Sequence, residues 1–185
     1  MNIDKRTSLK DIEEKDLDLI LQWRNQEQIR KVMFYSDIIT TEQHYNWYKN
    51  LLKSYVSISK IFYFDDKPYG PLNVNQINQL YNTCEWGFYI GELSAPRGMG
   101  TILGYTSLNY IFNELHVGKI CGEVIASNEQ SRIFHEKLGF KNEGILREHI
   151  FKENDYMDIH LYSILKREWE VQSINIKQKI EGRDL

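Results

Sequence analysis

Cysteine is scarce in this chain. Cys84 and Cys121 are the two present, and neither sits in a CxxC pair or a Cys/His cluster. That excludes a zinc ribbon or a dithiol redox motif and points to a reducing compartment. Proline is almost as rare, and Pro68, Pro71 and Pro96 each fall where a turn is expected. A basic excess is missing too. Lys plus Arg number 23 against 26 Asp plus Glu, for a net charge of −3, so non-specific nucleic-acid binding is not expected. No apolar run approaches the roughly 18 residues of a membrane span. The opening residues MNIDKRTSLKDIEEKDLD are charged and lack an apolar core, so no signal peptide is expected. These absences together predict a soluble, cytoplasmic protein without a membrane partner.

The 185 residues are 42% hydrophobic, 26% charged and 13% aromatic, the composition of one globular domain. A chain of this size buries roughly 70% of its unfolded surface, so neither disulfide nor metal is needed to hold it. A strand is expected over Thr7–Ile12, then a helix over Glu14–Arg30 with Leu17, Ile20 and Leu21 on one face. Thr40 with Gln43 reads as a capping box opening a second helix. Strands are expected over Ile58–Asp65, Tyr69–Ile77 and Cys84–Ile90. Gly91–Gly100 is a glycine-rich loop leading into an amphipathic helix over Thr101–Leu115. Lys119–Ala126 reads as a buried strand, and Asn128 caps a helix that Gly139 stops. Gly144–Phe151 and Tyr156–Leu165 complete the pattern as a hairpin. The sequence after Trp169 is polar and weakly patterned and reads as a tail. Its Ile180-Glu181-Gly182-Arg183 resembles a protease-cleavage linker as much as a natural ending.

The most specific local feature is Arg97-Gly98-Met99-Gly100-Thr101 between a strand and a helix. Glycines let the backbone approach a ligand closely, and the first N–H groups of the helix are unpaired beside the positive end of its dipole. This suits a pyrophosphate. In isolation the stretch also reads as a surface turn. It lacks the GK[ST] ending of a Walker A loop and the GxGxxG of a dinucleotide fold.

With its surroundings, the chain resembles the GNAT (Gcn5-related) N-acetyltransferase superfamily, in which a Q/R-x-x-G-x-G/A loop binds the pyrophosphate of acetyl-coenzyme A. Ala95-Pro96-Arg97-Gly98-Met99-Gly100 occupies that place, with Ala95 departing from the pattern and Arg97 supplying charge two positions on. Asn128–Phe140, NEQSRIFHEKLGF, is similar to the superfamily's pantetheine-contacting segment, with His135 where a tyrosine general acid usually stands. Trp23-Arg24-Asn25, Met33–Ser36 and His44-Tyr45-Asn46-Trp47 resemble a WRN…HxxW pattern. That pattern belongs to the branch of ribosomal-protein acetyltransferases and of acetyltransferases acting on UDP-4-amino-4,6-dideoxy-N-acetyl-β-L-altrosamine in pseudaminic-acid synthesis. The resemblance covers residues 6–168 and leaves 169–185 as a C-terminal tail.

The resemblance implies an α/β GNAT fold, a mixed, mostly antiparallel sheet splayed between its fourth and fifth strands and flanked by about four helices. It implies acetyl-coenzyme A as co-substrate, direct attack by a neutral amine, a small UDP-amino-sugar acceptor and room for a homo-oligomer. Backbone of Phe88, Tyr89 and Ile90 would run beside the pantetheine arm. Arg97, Gly98, Met99, Gly100, Thr101, Asn128, Ser131 and Lys137 would complete the coenzyme site. His135 would donate the proton to the thiolate, and Glu85 or Glu123 would take the amine proton through water. Against these stand blander readings: a packing histidine and two solvated carboxylates at sheet ends. Arg24, Phe34, Tyr35, His44 and Trp47 would bind the acceptor, Arg24 by clamping a diphosphate and the aromatics by stacking on a base. Trp47 at helical spacing also reads as core, and Trp23 is assigned there. Cys84 and Cys121 in buried strands read as packing rather than nucleophiles, and no metal-ligand spacing appears. Two rivals to the nucleotide-sugar reading remain, a protein N-terminal or ribosomal-protein acetyltransferase and a coenzyme-binding sensor without turnover.

Overall fold

Alternation of apolar side chains along each strand decides which layers form. On β2 (Ile58–Phe64), Ile61 and Phe62 point to opposite faces and both are fully buried, so helices cover the sheet on both sides. The computed structural model describes residues 2–182. Its strands are β1 (Thr7–Asp11), β2, β3 (Lys67–Asn78), β4 (Thr83–Phe88), β5 (Lys119–Ile125), β6 (Lys141–Lys152) and β7 (Asp155–Leu165). They form one sheet in the order β1-β2-β3-β4-β5-β7-β6. All neighbours are antiparallel except β4 and β5.

That parallel pair creates the site. Its register runs Thr83↔Lys119, Cys84↔Ile120 and Glu85↔Cys121, and then ends. Past this point β4 stays with β3, pairing Trp86↔Val74 and Phe88↔Leu72, while β5 stays with β7, pairing Glu123↔Leu161 and Ile125↔Ile159. The two strands part and leave a wedge of unpaired backbone. Gly70 lets the chain leaving β4 lie against β3: a Cβ there would stand 1.9 Å from the Tyr89 carbonyl oxygen.

The helices are α1 (Leu17–Arg24), α2 (Glu27–Arg30), α3 (Thr41–Leu51), α4 (Met99–Asn113), α5 (Glu129–Leu138) and α6 (Lys166–Glu181). Six rather than four is a correction with two causes. The helix expected over Glu14–Arg30 breaks at Asn25, whose side chain donates to the Ile39 carbonyl and accepts from the Ile39 N–H, both at 2.8 Å. The polar tail is a helix: Trp169, Ile176 and Ile180 are buried in the main core, and Trp169 Nε1 donates to Asn109 on α4 at 2.9 Å. Of the linker-like residues, Arg183 lies outside the described residues. The expected amphipathic helix is buried nearly all round as α4. Gly104 allows this, since a Cβ there would meet Phe134 and Leu138 of α5 at 2.9 Å.

Local signals hold where caps were readable. Thr40 accepts from the Gln43 N–H at 3.2 Å and Gln43 Oε1 accepts from the Thr40 N–H at 2.8 Å. Asn128 Oδ1 caps α5 from 3.1 Å, and Gly139 ends it at φ 98° in the left-handed region. The large core lies between the sheet and α4–α6. A smaller one (Ile12, Leu17, Ile20, Trp23, Tyr48, Ile61) sits on the other face beneath α1 and α3.

Candidate active site

The wedge opens into a cleft of about 940 Å³. One wall is the sheet, with Asn73 and Asn75 of β3, Glu85 to Phe88 of β4, Tyr89 just beyond it, and Glu123 to Ile125 of β5. Asn128, Ser131, Phe134 and His135 close one side, and Arg24, Met33, Phe34, Tyr35, His44 and Trp47 close the other.

The glycine loop before α4 lies beyond the first side and does not itself line the cleft; a Cβ at Gly100 would stand 3.9 Å from Phe134, which does. Gly98 sits at φ 102° as the residue before α4, a conformation that costs a non-glycine residue roughly 1–2 kcal/mol. No backbone carbonyl accepts from the N–H groups of Arg97, Gly98 or Gly100 among the described residues. Those groups stand at the positive end of a fifteen-residue helix. Two expectations are corrected here. The Met99 N–H donates to the Pro96 carbonyl at 3.1 Å and its side chain is core, while the Thr101 N–H donates to Gly98 at 2.9 Å. Neither has a backbone donor to spare. Lys137, also expected here, is exposed on α5 and does not line the cleft. Asn128 uses Oδ1 as the cap and keeps its amide N–H groups for a ligand. Ile90 is half-buried against the main core beside Gly100. The diverging backbone, free amides and Asn128 fit a pantetheine pyrophosphate.

His135 lines the cleft from within a box of aromatic rings. It is 7% exposed, boxed by Trp86, Phe140 and Tyr162. Its Nδ1 stands 2.7 Å from the Ser131 carbonyl oxygen, which can only accept, so the ring proton of the neutral imidazole is held there. Nε2 is then a bare acceptor against Gly122, where a Cβ would meet it at 2.9 Å. Burial lowers the His135 pKa, with the Ser131 carbonyl opposing it. The ring is packed by aromatic neighbours and its Nδ1 is engaged by the Ser131 carbonyl, so the packing reading describes its surroundings.

Glu85 and Glu123 differ in environment. Glu85 is half-buried on β4, and burial, then the charge of Glu123, raises its pKa while a hydrogen bond from Gln76 opposes them. Glu123 is exposed on β5. A raised carboxylate is the better base near neutrality. Between them on the sheet, burial raises the thiol of Cys121 and pushes that of Cys84 up to about 12, so neither is a thiolate nucleophile.

The opposite side is made of side chains. His44 is 6% exposed, stacks on Trp47 with centroids 5.0 Å apart, and its Nε2 has no partner among the described residues. Burial lowers its pKa. Arg24 Nη2 donates to the Tyr35 carbonyl at 2.8 Å, whereas Nη1 is buried without a partner among the described residues. Burial lowers the Arg24 pKa as well, yet a guanidinium stays charged. Tyr89, expected only for its backbone, packs its ring against the smaller core beside Arg24, and burial raises its phenol pKa. Trp23 is 3% exposed in that core, against Gly91. Trp47 lines the cleft and also packs on the same core.

Residues 9–161 match the acetyltransferase (GNAT) domain family. The chain belongs to the GNAT acetyltransferases. It is therefore an acetyl-coenzyme A-dependent N-acetyltransferase. YdaF of Bacillus subtilis (strain 168), named provisionally as a ribosomal N-acetyltransferase, is 25% identical over 181 residues, covering 91% of this chain and 96% of its own. The spermidine N(1)-acetyltransferase of Vibrio cholerae serotype O1 is 27% identical over 100 residues, 54% of this chain and 58% of its own. The crystal structure of spermidine N-acetyltransferase from Vibrio cholerae with CoA and spermine superposes with a TM-score of 0.83 at 22% identity, covering 90% of this chain and 99% of that one. That likeness establishes the fold. These relatives are named for a ribosomal or a polyamine acceptor, and the resemblance to the nucleotide-sugar enzyme is not shown by them. Among the described residues no helix is long and apolar enough to cross a membrane.

Proposed function

We propose that the acceptor is a primary amine on a nucleotide-linked sugar, with UDP-4-amino-4,6-dideoxy-N-acetyl-β-L-altrosamine as the specific candidate. The observation that carries this is the division of charge in the cleft. Glu85 and Glu123 lie on the sheet wall and suit an amine, while Arg24, with an unused buried guanidinium nitrogen, lies on the far side with His44 and Trp47. The groups that act electrostatically on Arg24 are Tyr89, Arg30 and Tyr35, not the two carboxylates, which supports two separate subsites. A diphosphate and a base suit the second. A polyamine would bring a cation to that same arginine at a Coulombic cost.

Acetyl-coenzyme A supplies the thioester that the amine attacks. Glu85 takes the amine proton, directly or through one water, as the C–N bond forms and the C–S bond breaks. The wedge backbone orients the carbonyl. The departing thiolate takes its proton from solvent in this reading, and His135 packs beneath the wedge. In this reading the Arg97, Gly98 and Gly100 amides with Asn128 hold the coenzyme, within a single domain that includes α6.

The test is coenzyme A thiol release on adding the nucleotide sugar, with spermidine and an N-terminal peptide amine as separate acceptors. Release with the sugar alone supports the proposal. Release with spermidine or the peptide alone assigns the enzyme to the corresponding relative's acceptor and overturns it.

A further inference from the structure

Residues 31–40 cross the mouth of the cleft with no regular structure, and Val32, Met33, Phe34, Tyr35 and Ile39 line it. A structureless segment of this kind must find hydrogen-bond partners for its carbonyls elsewhere. Some are local: Arg24 donates to the Tyr35 carbonyl and Arg30 Nη1 to that of Ser36, both at 2.8 Å. One donor comes from the other end of the chain. Lys152, the last residue of β6, is only 8% exposed, and its Nζ donates to the Lys31 carbonyl at 2.6 Å and the Met33 carbonyl at 2.9 Å. Among the described residues it forms no ion pair with a carboxylate. Lys31 is the C-cap of α2, where carbonyls are unpaired and carry the negative end of the helix dipole.

The hairpin holds this ammonium in place. Lys152 pairs with Asp155 around Glu153 and Asn154, both at positive φ (56° and 62°), a two-residue turn of the primed kind. β7 then pairs with β5 beside the wedge, Ile159↔Ile125. The position of the loop is thus tied to the strand that carries Glu123. Lys152 itself does not line the cleft; it stands behind the loop whose front does.

We propose that Lys152 is a positioning residue for acceptor binding, a clamp that fixes Met33, Phe34 and Tyr35 against the wedge. This rests on reading that loop as the acceptor wall, but not on which amine is accepted. The two charge-assisted hydrogen bonds are stronger than neutral ones and come from outside the loop's own neighbourhood.

Lys152→Met and the milder Lys152→Gln test it by two readouts. The first is hydrogen exchange of residues 31–38 in the enzyme without acceptor, which should speed by about tenfold or more on losing both bonds, with Lys152→Arg restoring protection. The second is steady-state kinetics with acetyl-coenzyme A and the UDP-amino sugar. The acceptor KM should rise about tenfold while the acetyl-coenzyme A KM stays within about twofold. Unchanged exchange, or equal rises in both KM values, overturns the clamp. Faster exchange with an unchanged acceptor KM overturns its positioning role. If the sugar is not a substrate, the functional proposal fails while the exchange result still decides the clamp, and the KM arm is run with whichever of spermidine or peptide is turned over.

Discussion

The two sides of the cleft are made of different material. On the side proposed for the coenzyme the groups are mostly backbone: the diverging ends of β4 and β5, Gly98 at φ 102°, and the amides before α4 that have no backbone acceptor among the described residues. On the acceptor side they are side chains brought from α1, α3 and the 31–40 loop, held by Arg24, Arg30, Asn25 and Lys152. A backbone site tolerates exchange of the side chains around it, because its donors do not depend on residue identity. A side-chain site changes specificity with single substitutions. One scaffold can thus keep one donor substrate while its acceptor varies.

The largest expected effect tests the boundary between the two sides. Glu85→Gln removes the carboxylate with the raised pKa, and kcat should fall by about 10²–10⁴-fold with the acetyl-coenzyme A KM little changed. A loss under tenfold would pass the role of base to another group. Next, Gly98→Val forces a β-branched residue into the left-handed region and displaces the amides that follow. The acetyl-coenzyme A KM should rise by about tenfold or more, with the acceptor KM unaffected. Arg24→Ala is its mirror on the side-chain wall: the acceptor KM rises by about tenfold and that of acetyl-coenzyme A does not. Equal effects of either substitution on both KM values would erase the comparison.

The same division explains what could be read in advance. The Thr40 and Asn128 caps and the Gly139 stop are local signals, and each appears in the structure, whereas the glycine loop ends two residues sooner than expected because α4 begins at Met99. The break at Asn25 is not local, because it depends on a bond to Ile39, and nothing near Lys152 marks it as a buried donor to a loop some 120 residues earlier. The α6 helix hid because Trp169, Ile176 and Ile180 make a narrow apolar face in a polar segment. The burial of α4 on nearly all sides was hidden because Gly104 counts for nothing in a hydrophobic pattern, yet admits α5. His135 occupied a motif position, and its aromatic box and the Ser131 carbonyl at Nδ1 are tertiary features that the motif does not carry.

A smaller effect sharpens the pairing of the carboxylates. Glu123→Gln removes a negative charge that raises the Glu85 pKa, so Glu85 should titrate lower and the acid limb of the kcat/KM profile should shift to lower pH. A limb that stays in place would mean that another group sets it.

The smallest effect falls on His135. A positioned general acid contributes about 10²–10⁴-fold, so His135→Gln should keep kcat within about threefold if the imidazole is packing. Its consequence lies in stability instead. Burial holds the folded-state pKa of His135 below the ordinary histidine value, so as pH falls through that ordinary value the unfolded chain takes up a proton first. Stability present above it is then lost progressively down to the folded pKa. His135→Gln removes that share, and the drop in urea midpoint from pH 7 to pH 5 should be shallower than in the parent enzyme. It should not vanish, because buried His44 has a lowered pKa for the same reason and contributes in the same direction. A large loss of turnover with an unchanged pH dependence of stability would return the proton-donor role to His135.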